Sequence, residues 1–430
     1  VYESSYAHTF AEENGLLYSI YYDTDETYIQ DGITYYIIDG EAVAVECNGA
    51  VTELEIPATV EGYPVTELRS TFRNNTKITS VIIPDSVTTM GSYTFSGCSK
   101  LNSVVLGDGL TEISDHAFTS SALRNITFGA NIVTIGAHAF ESCSSLTSIE
   151  IPDSVESIGD CAFYNSGLQS IEIPDNVKAL GECVFYGSAL ETAVVGDGIT
   201  HLPGGTFSDC YELETVILGD NIVTLGSEAL AWCQEIEKLE LGVNVRVMGE
   251  ETGSDIFIDT HIKNVYIKDL AAWCNLTYYY SNPLYRGGNL YLNGELVTNL
   301  VIPGQVTEIK EQAFCGVKSL KTVTIPESVE TIEWYSFADC TNLETVTIAR
   351  GTTEIGESAF YNCGALKEVT IPDTVTTIGS GAFAENKNLQ SVVIPKSVTS
   401  MSKDSFAVTT MLLVYESSYA HTFAEENGLL

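Results

Sequence analysis

Apolar residues recur along most of the chain in one fixed order. Residues 146–163 show it. Leu146, Ile149 and Ile151 are set among polar residues, Pro152 follows, and then come Val155, Ile158, Gly159 and the pair Ala162 and Phe163. Ile149 and Ile151 alternate with polar neighbours, which predicts a half-buried strand. Pro152 has no N–H to donate and should end that strand. Val155 and Ile158 predict a second buried edge, and Ala162 and Phe163 an interior filling. Gly159 suits a tight bend. Ser114, Pro203, Lys310, Glu333 and Ser402 take the same slot elsewhere, which argues against a strictly left-handed backbone there.

The order repeats. Phe72, Phe95, Phe118, Phe140, Phe163, Phe185 and Phe207 are 22 or 23 residues apart, and Leu230 takes the next slot. After a break, Phe314, Phe337, Phe360, Phe383 and Phe406 follow at 23. A period in the twenties predicts leucine-rich coils that stack strand on strand about 4.8 Å apart. No coil can bury its face alone, so the stack needs caps. The expected fold is a leucine-rich-repeat solenoid, mainly β and curved right-handed. It should have a continuous parallel sheet, about one strand per coil, and short helical turns.

The breaks suggest boundaries. An N-terminal β cap is expected over residues 21–66, with a hairpin turn at Asp39 and Gly40. Repeats occupy 67–248 and 303–413. Residues 249–302 form an irregular insertion, with another turn at Asn293 and Gly294. Val1 to Leu17 is identical to Val414 to Leu430. Seventeen matches are beyond chance, so a unit of 413 residues has been duplicated. Residues 1–20 then read as the closing segment of a preceding module and 414–430 as that of this one. Ser5 should N-cap a short helix in the first copy.

The recurring blocks IPDSVESIGDCAF, IPESVETIEWYSF and IPDTVTTIGSGAF, with L-x-x-V-x-I, resemble those of the BspA-like leucine-rich-repeat proteins over most of residues 50–412. The resemblance implies an exported bacterial protein at the cell surface, with adhesion to host matrix proteins or other cells as its role.

Charge narrows the partners. The chain has 58 acidic and 19 basic residues, a net charge of -39. Nucleic acid needs basic patches and is not expected as a partner. No apolar run is long enough for membrane insertion.

Candidate chemistry is sparse. The histidines are His8, His116, His138, His201, His261 and His421, and none lies in a hydrolase or metalloprotease motif. No catalytic residue is expected, and no enzyme. Two residues before the Phe slot stand His116, His138, Cys161 and Cys183, all zinc-type ligands. A row of four at about 4.8 Å steps spans about 14 Å, too long for one tetrahedral ion. Neither a metal nor a cofactor is expected. Of the 11 cysteines, Cys98, Cys143, Cys210, Cys233, Cys340 and Cys363 lie three residues after the Phe slot. Packing in a buried column explains that register, so thiols are expected there.

Surfaces remain. The outward residues of the strand face are Val105, Thr127, Glu150, Glu172, Val194, Ile217, Glu240, Thr324, Thr347, Thr370 and Val393, short of aromatic and arginine anchors. Aromatics collect instead at Trp273, Tyr278, Tyr279, Tyr280, Tyr285 and Tyr291. Trp273, Tyr279 and Tyr285 are the ligand-binding candidates, expected to be exposed and grouped on one side. The expected function is non-catalytic binding of an extracellular protein or glycan at the cell surface. The alternatives are a spacer built of tandem modules and a carbohydrate-binding module attached to an enzyme.

Overall fold

The computed structural model describes residues 26–49, 51–249, 253–279 and 282–427. The first copy of the duplicated segment, with Ser5, lies outside them, as does Tyr280. The chain forms two compact units, Val1–Cys143 and Ser144–Leu430.

The first unit opens with an antiparallel meander of Thr27–Gln30, Ile33–Ile38 and Glu41–Cys47. Its turns are Asp31-Gly32 and Asp39-Gly40. All four residues have positive φ, the geometry whose twist matches the flanking strands. Tyr63–Leu68 pairs parallel with Glu41–Cys47, and the repeats follow. Glu53–Glu55, Ser80–Ile82, Ser103–Val105 and Asn125–Thr127 form a parallel sheet in register.

In the second unit, Ser170–Ile173, Thr192–Val195, Thr215–Leu218, Lys238–Glu240, Asn264–Ile267 and Asn289–Leu292 stack in parallel. A left-handed Asn293-Gly294 turn then reverses the chain, and Glu295–Leu296 closes this sheet antiparallel. A new ladder runs through Asn299–Val301, Thr322–Ile325, Thr345–Ile348 and Glu368–Thr370. The last pair is Ser391–Ile394 with Met411–Val414. The stacked parallel strands are as the period predicts, but they come in segments: residues 147–151, where Ile149 and Ile151 predict a strand, form none, the hairpin at Asn293-Gly294 interrupts the row again, and Glu368–Thr370 does not pair with Ser391–Ile394.

A regular coil has three hydrogen-bonded edges. Beside the main strands, two-residue strands such as Thr331–Ile332 and Glu354–Ile355 form a second parallel ladder. The third edge is the turn around the Phe slot. There the amides of Cys161, Phe163 and Asn165 donate to the carbonyls of Glu182, Val184 and Tyr186 of the next coil.

The left-handed residues flank the phenylalanine by two on each side. Cys161 has φ 54° and Asn165 φ 50°, and the same signs recur at Tyr335 and Asp339 and at Ser358 and Asn362. The expected bend residue four before the Phe is not left-handed. At Gly136 the demand is space: a Cβ would come within 2.7 Å of Asp115 N and 2.8 Å of Ile113 O. The turns are thus tight, closed by successive i→i+3 bonds such as Ala162 N to Gly159 O and Tyr164 N to Cys161 O, with a left-handed residue on either side of the Phe. The strain of each, about 1–3 kcal/mol for a non-glycine residue, is offset by the hydrogen bonds to the next coil. The described helices are Leu270–Cys274 and Tyr419–Glu426. The second is N-capped by Ser418, the counterpart of Ser5, which accepts from His421 N at 3.1 Å.

Inside, the phenylalanines stack. Phe72, Phe95, Phe118 and Phe140 have ring centroids 5.0–5.3 Å apart, and so do Phe314 to Phe406, with planes within 9° of parallel. Each pair adds about 0.5–1.5 kcal/mol beyond its buried area.

The cysteine column three residues on is buried, as packing predicts, and it is also a column of donors. The thiols of Cys98, Cys143, Cys210, Cys233, Cys340 and Cys363 donate to the Phe carbonyl of the preceding coil at 3.0–3.2 Å. Ser188 and Asn386 donate to the same carbonyl, at 2.9 Å, in their coils. The slot therefore accepts small donors, Cys, Ser or Asn. We expect Cys210→Ala to cost about 1 kcal/mol, since the Phe185 carbonyl loses the thiol and keeps only the Ser188 amide at 3.1 Å, and Cys210→Ser to cost less. Equal costs in urea denaturation would show that volume alone matters.

The insertion stays on the coil path. Asn264–Ile267 and Asn289–Leu292 continue the main ladder, and Thr277–Tyr278 continues the second one from Val247–Met248. Its extra residues are accommodated between ladder strands, in part by the helix Leu270–Cys274.

Candidate functional site

The three sequence candidates fall on three different elements. Trp273 is in the helix and only 2% exposed. Its Nε1 donates to Ala313 O at 2.8 Å, and its ring meets Tyr278 edge-on. It is a core residue, so the expectation of an exposed ring does not hold. Tyr278 is also buried. Tyr279 follows a short strand of the second ladder, and Tyr285 lies in the turn after Asn282. Both are exposed, at 42% and 56%.

The main ladder gathers what the insertion scatters. Val194, Ile217, Glu240, Tyr266 and Tyr291 are register partners on successive strands, and Leu296 pairs with Tyr291. Strand alternation turns these side chains outward while Ala193, Val216, Leu239, Val265 and Leu290 fill the core. The row covers six strands, about 24 Å from end to end. Tyr266 and Tyr291 stack with centroids 4.4 Å apart at 15°. Lys238 Nζ sits 5.1 Å from the centre of the Tyr266 ring and pairs with Glu240 at 2.9 Å. The row runs toward a shallow depression of mixed character, lined by Leu270, Leu292, Leu296 and Val301 together with Glu295 and Asn299. Reading the sequence placed Val194, Ile217 and Glu240 on this face but missed its tyrosines. The Phe spacing breaks at the insertion, so Tyr266 went unnamed and Tyr291 was assigned to the insertion rather than to the strand face.

The first unit carries a shorter row, Glu55, Ile82, Val105 and Thr127, in which Ile82 and Val105 are exposed. No aromatic residue joins it.

One side-chain cluster brings metal-type ligands together among the described residues. His116, His138 and Glu141 place ligand atoms within 4.8 Å of one another. Glu141, missed by the sequence reading, lies one residue after Phe140; its Oε2 is 3.0 Å from His138 Nδ1 and 4.0 Å from His116 Nδ1. The two imidazoles are stacked 4.6 Å apart and 6° from parallel, and Tyr93 and Arg73 extend the stack. A ring nitrogen presents its lone pair in the ring plane, so two parallel rings do not converge on one ion. The arrangement is a ring stack tied down by Glu141.

Burial, then the adjacent His138, holds His116 below the ordinary imidazole range. The unfolded chain therefore takes up this proton first. The stability linked to neutral His116 is fully present above about pH 6.5 and is lost as pH falls through the folded-state value. We expect His116→Asn to flatten the fall in Tm between pH 7.5 and 5. Parallel melting curves for the two proteins across that range would refute the linkage.

A profile described as the BspA type leucine rich repeat region matches residues 68–191, 157–284 and 287–412. The chain belongs to this family. The BspA-type repeats thus include both the regular coils and most of the insertion. Among solved structures, the chain is similar to a leucine-rich repeat protein from Bacteroides ovatus, with 22% identity over 92% of this chain and 100% of that one, and a TM-score of 0.57. A leucine rich cell surface protein from Faecalibacterium prausnitzii has 25% identity over 94% of this chain and 98% of its own, with a TM-score of 0.39. The first likeness is one of fold. No curated protein matches the chain. No described helix is long and apolar enough to cross a membrane.

Proposed function

We propose that this chain is a non-catalytic binding module of a cell-surface or secreted bacterial protein. It engages an extracellular protein or glycan through the strand face between Val194 and Leu296. The observation that carries the reading is the stacked pair Tyr266 and Tyr291 within an apolar row. Tyrosines give large contact area for two rotatable bonds, and a stacked pair on a sheet is already ordered, so little entropy is lost on binding. Membership of the BspA-type family supports a surface role. The net charge of -39 favours neutral or basic partners over nucleic acid and anionic lipid.

The test is a panel of immobilised extracellular-matrix proteins and glycans probed with the purified chain. Saturable binding to at least one member is expected. A hit among glycans alone would favour a carbohydrate-binding module. The identical segments at residues 1–17 and 414–430 favour a second reading, a stalk of tandem modules. Failure to bind any member of the panel would leave that reading standing.

A further inference from the structure

We propose that Cys161 and Cys183 are a redox-active pair that closes a disulfide between consecutive coils. All eleven cysteines are thiols in this structure, and eight are buried. The stacked pairs Cys210 with Cys233 and Cys340 with Cys363 are wholly buried, and each of these thiols is engaged with a Phe carbonyl. Cys161 and Cys183 differ. Both are half-buried, so a small oxidant reaches them. They occupy the same left-handed slot, with φ 54° and 53°.

Their register is fixed on both sides. Ser157 and Ile158 pair with Ala179 and Leu180, and Cys161 N donates to Glu182 O at 2.9 Å. Beyond them the rings of Phe163 and Phe185, and of Tyr164 and Tyr186, stack in step at 5.4 and 5.0 Å. The two thiols are in hydrogen-bonding contact. Stacked coils lie about 4.8 Å apart, inside the Cα separations that disulfides span. The bridge would be half-buried, as its two cysteines are, so a small thiol reaches and reduces it.

The oxidant is a low-molecular-weight disulfide. One protein thiolate attacks it, forming a mixed disulfide and releasing one small thiol. The neighbouring thiolate then attacks the protein sulfur of that mixed disulfide and displaces the second small thiol. Two protein thiols lose their protons, one S–S bond forms in the protein, and the reagent's S–S bond is reduced. Burial, with Glu182, Asp160 and Glu228 nearby, raises the Cys183 thiol above its ordinary range. The reaction should therefore accelerate steeply with pH. It is independent of whether the strand face binds anything.

The test uses the native chain incubated with oxidised glutathione at pH 8, then alkylated in denaturant and mapped by mass spectrometry. Nine of the eleven thiols should remain alkylatable. The other two should appear as one cross-linked peptide pair containing Cys161 and Cys183, two hydrogens lighter and reopened by mild dithiothreitol. The Cys161→Ser and Cys183→Ser variants should lose the cross-link, and serine is tolerated in this slot at Ser358. Both cysteines remaining alkylatable, separate glutathione adducts without a cross-link, or a bridge between Cys210 and Cys233 would each overturn the proposal. The wild-type map decides the matter even if a variant fails to fold.

Discussion

Replacing Phe337 by alanine is expected to lower the unfolding free energy by about 3–5 kcal/mol. The ring is 0% exposed and lies between Phe314 and Phe360, with centroids 5.0 and 5.1 Å away and planes within 6° of parallel. Its neighbours cannot close the gap. The Phe337 amide donates to Ala359 O at 2.8 Å, and its carbonyl accepts from Cys363 at 3.2 Å. Those rungs fix the coil spacing, so the cavity stays open and the cost falls toward the upper end. Repeats couple mainly to their neighbours. The urea transition should therefore broaden as well as shift. A midpoint close to that of the wild type would mean that the column is not the core.

Trp273→Ala should cost a similar amount, about 3–5 kcal/mol, whereas Tyr285→Ala should be nearly neutral. Trp273 fills the space beneath the helix Leu270–Cys274, which Asp269 caps by accepting from Ala271 N at 2.8 Å and Ala272 N at 3.1 Å. Removing the indole opens a cavity beside Tyr278 and strips Ala313 O of its donor. Trp273→Phe keeps most of the volume but not the hydrogen bond, and should cost about 1–3 kcal/mol. If thermal melts found Trp273→Ala harmless and Tyr285→Ala costly, the insertion would be arranged the other way round, with the tryptophan outside.

Much of the scaffold is legible in the sequence because it rests on periodic apolar positions. Phe163 and its counterparts mark the interior column, Pro174 and Pro326 end strands, Asp39-Gly40 makes a hairpin, and Ser418 caps a helix. Other features leave no residue-type signature. The left-handed slots hold Tyr93, His116, Cys161 and Glu228, none of which announces positive φ. Their conformation is imposed by the hydrogen bonds of the turn. The cysteine column reads as apolar packing until the carbonyl it faces is known. The insertion misleads for a different reason. Its strands recur at 25 or 26 residues, Leu239 to Val265 to Leu290, so the Phe period loses them while the ladder does not. Aromatic density around residue 273 likewise cannot tell which rings face inward.

The central claim is that the strand face, through Tyr266 and Tyr291, is the binding surface. The direct measurement is surface plasmon resonance against the matrix proteins and glycans of the panel. It compares the wild type with Tyr266→Ala/Tyr291→Ala and with Tyr279→Ala/Tyr285→Ala, all checked for equal thermal stability. Loss of two anchor tyrosines, at about 1–2 kcal/mol each, should weaken binding at least about tenfold in the first variant and leave the second unchanged. Full affinity in the first variant, or loss confined to the second, would contradict the account.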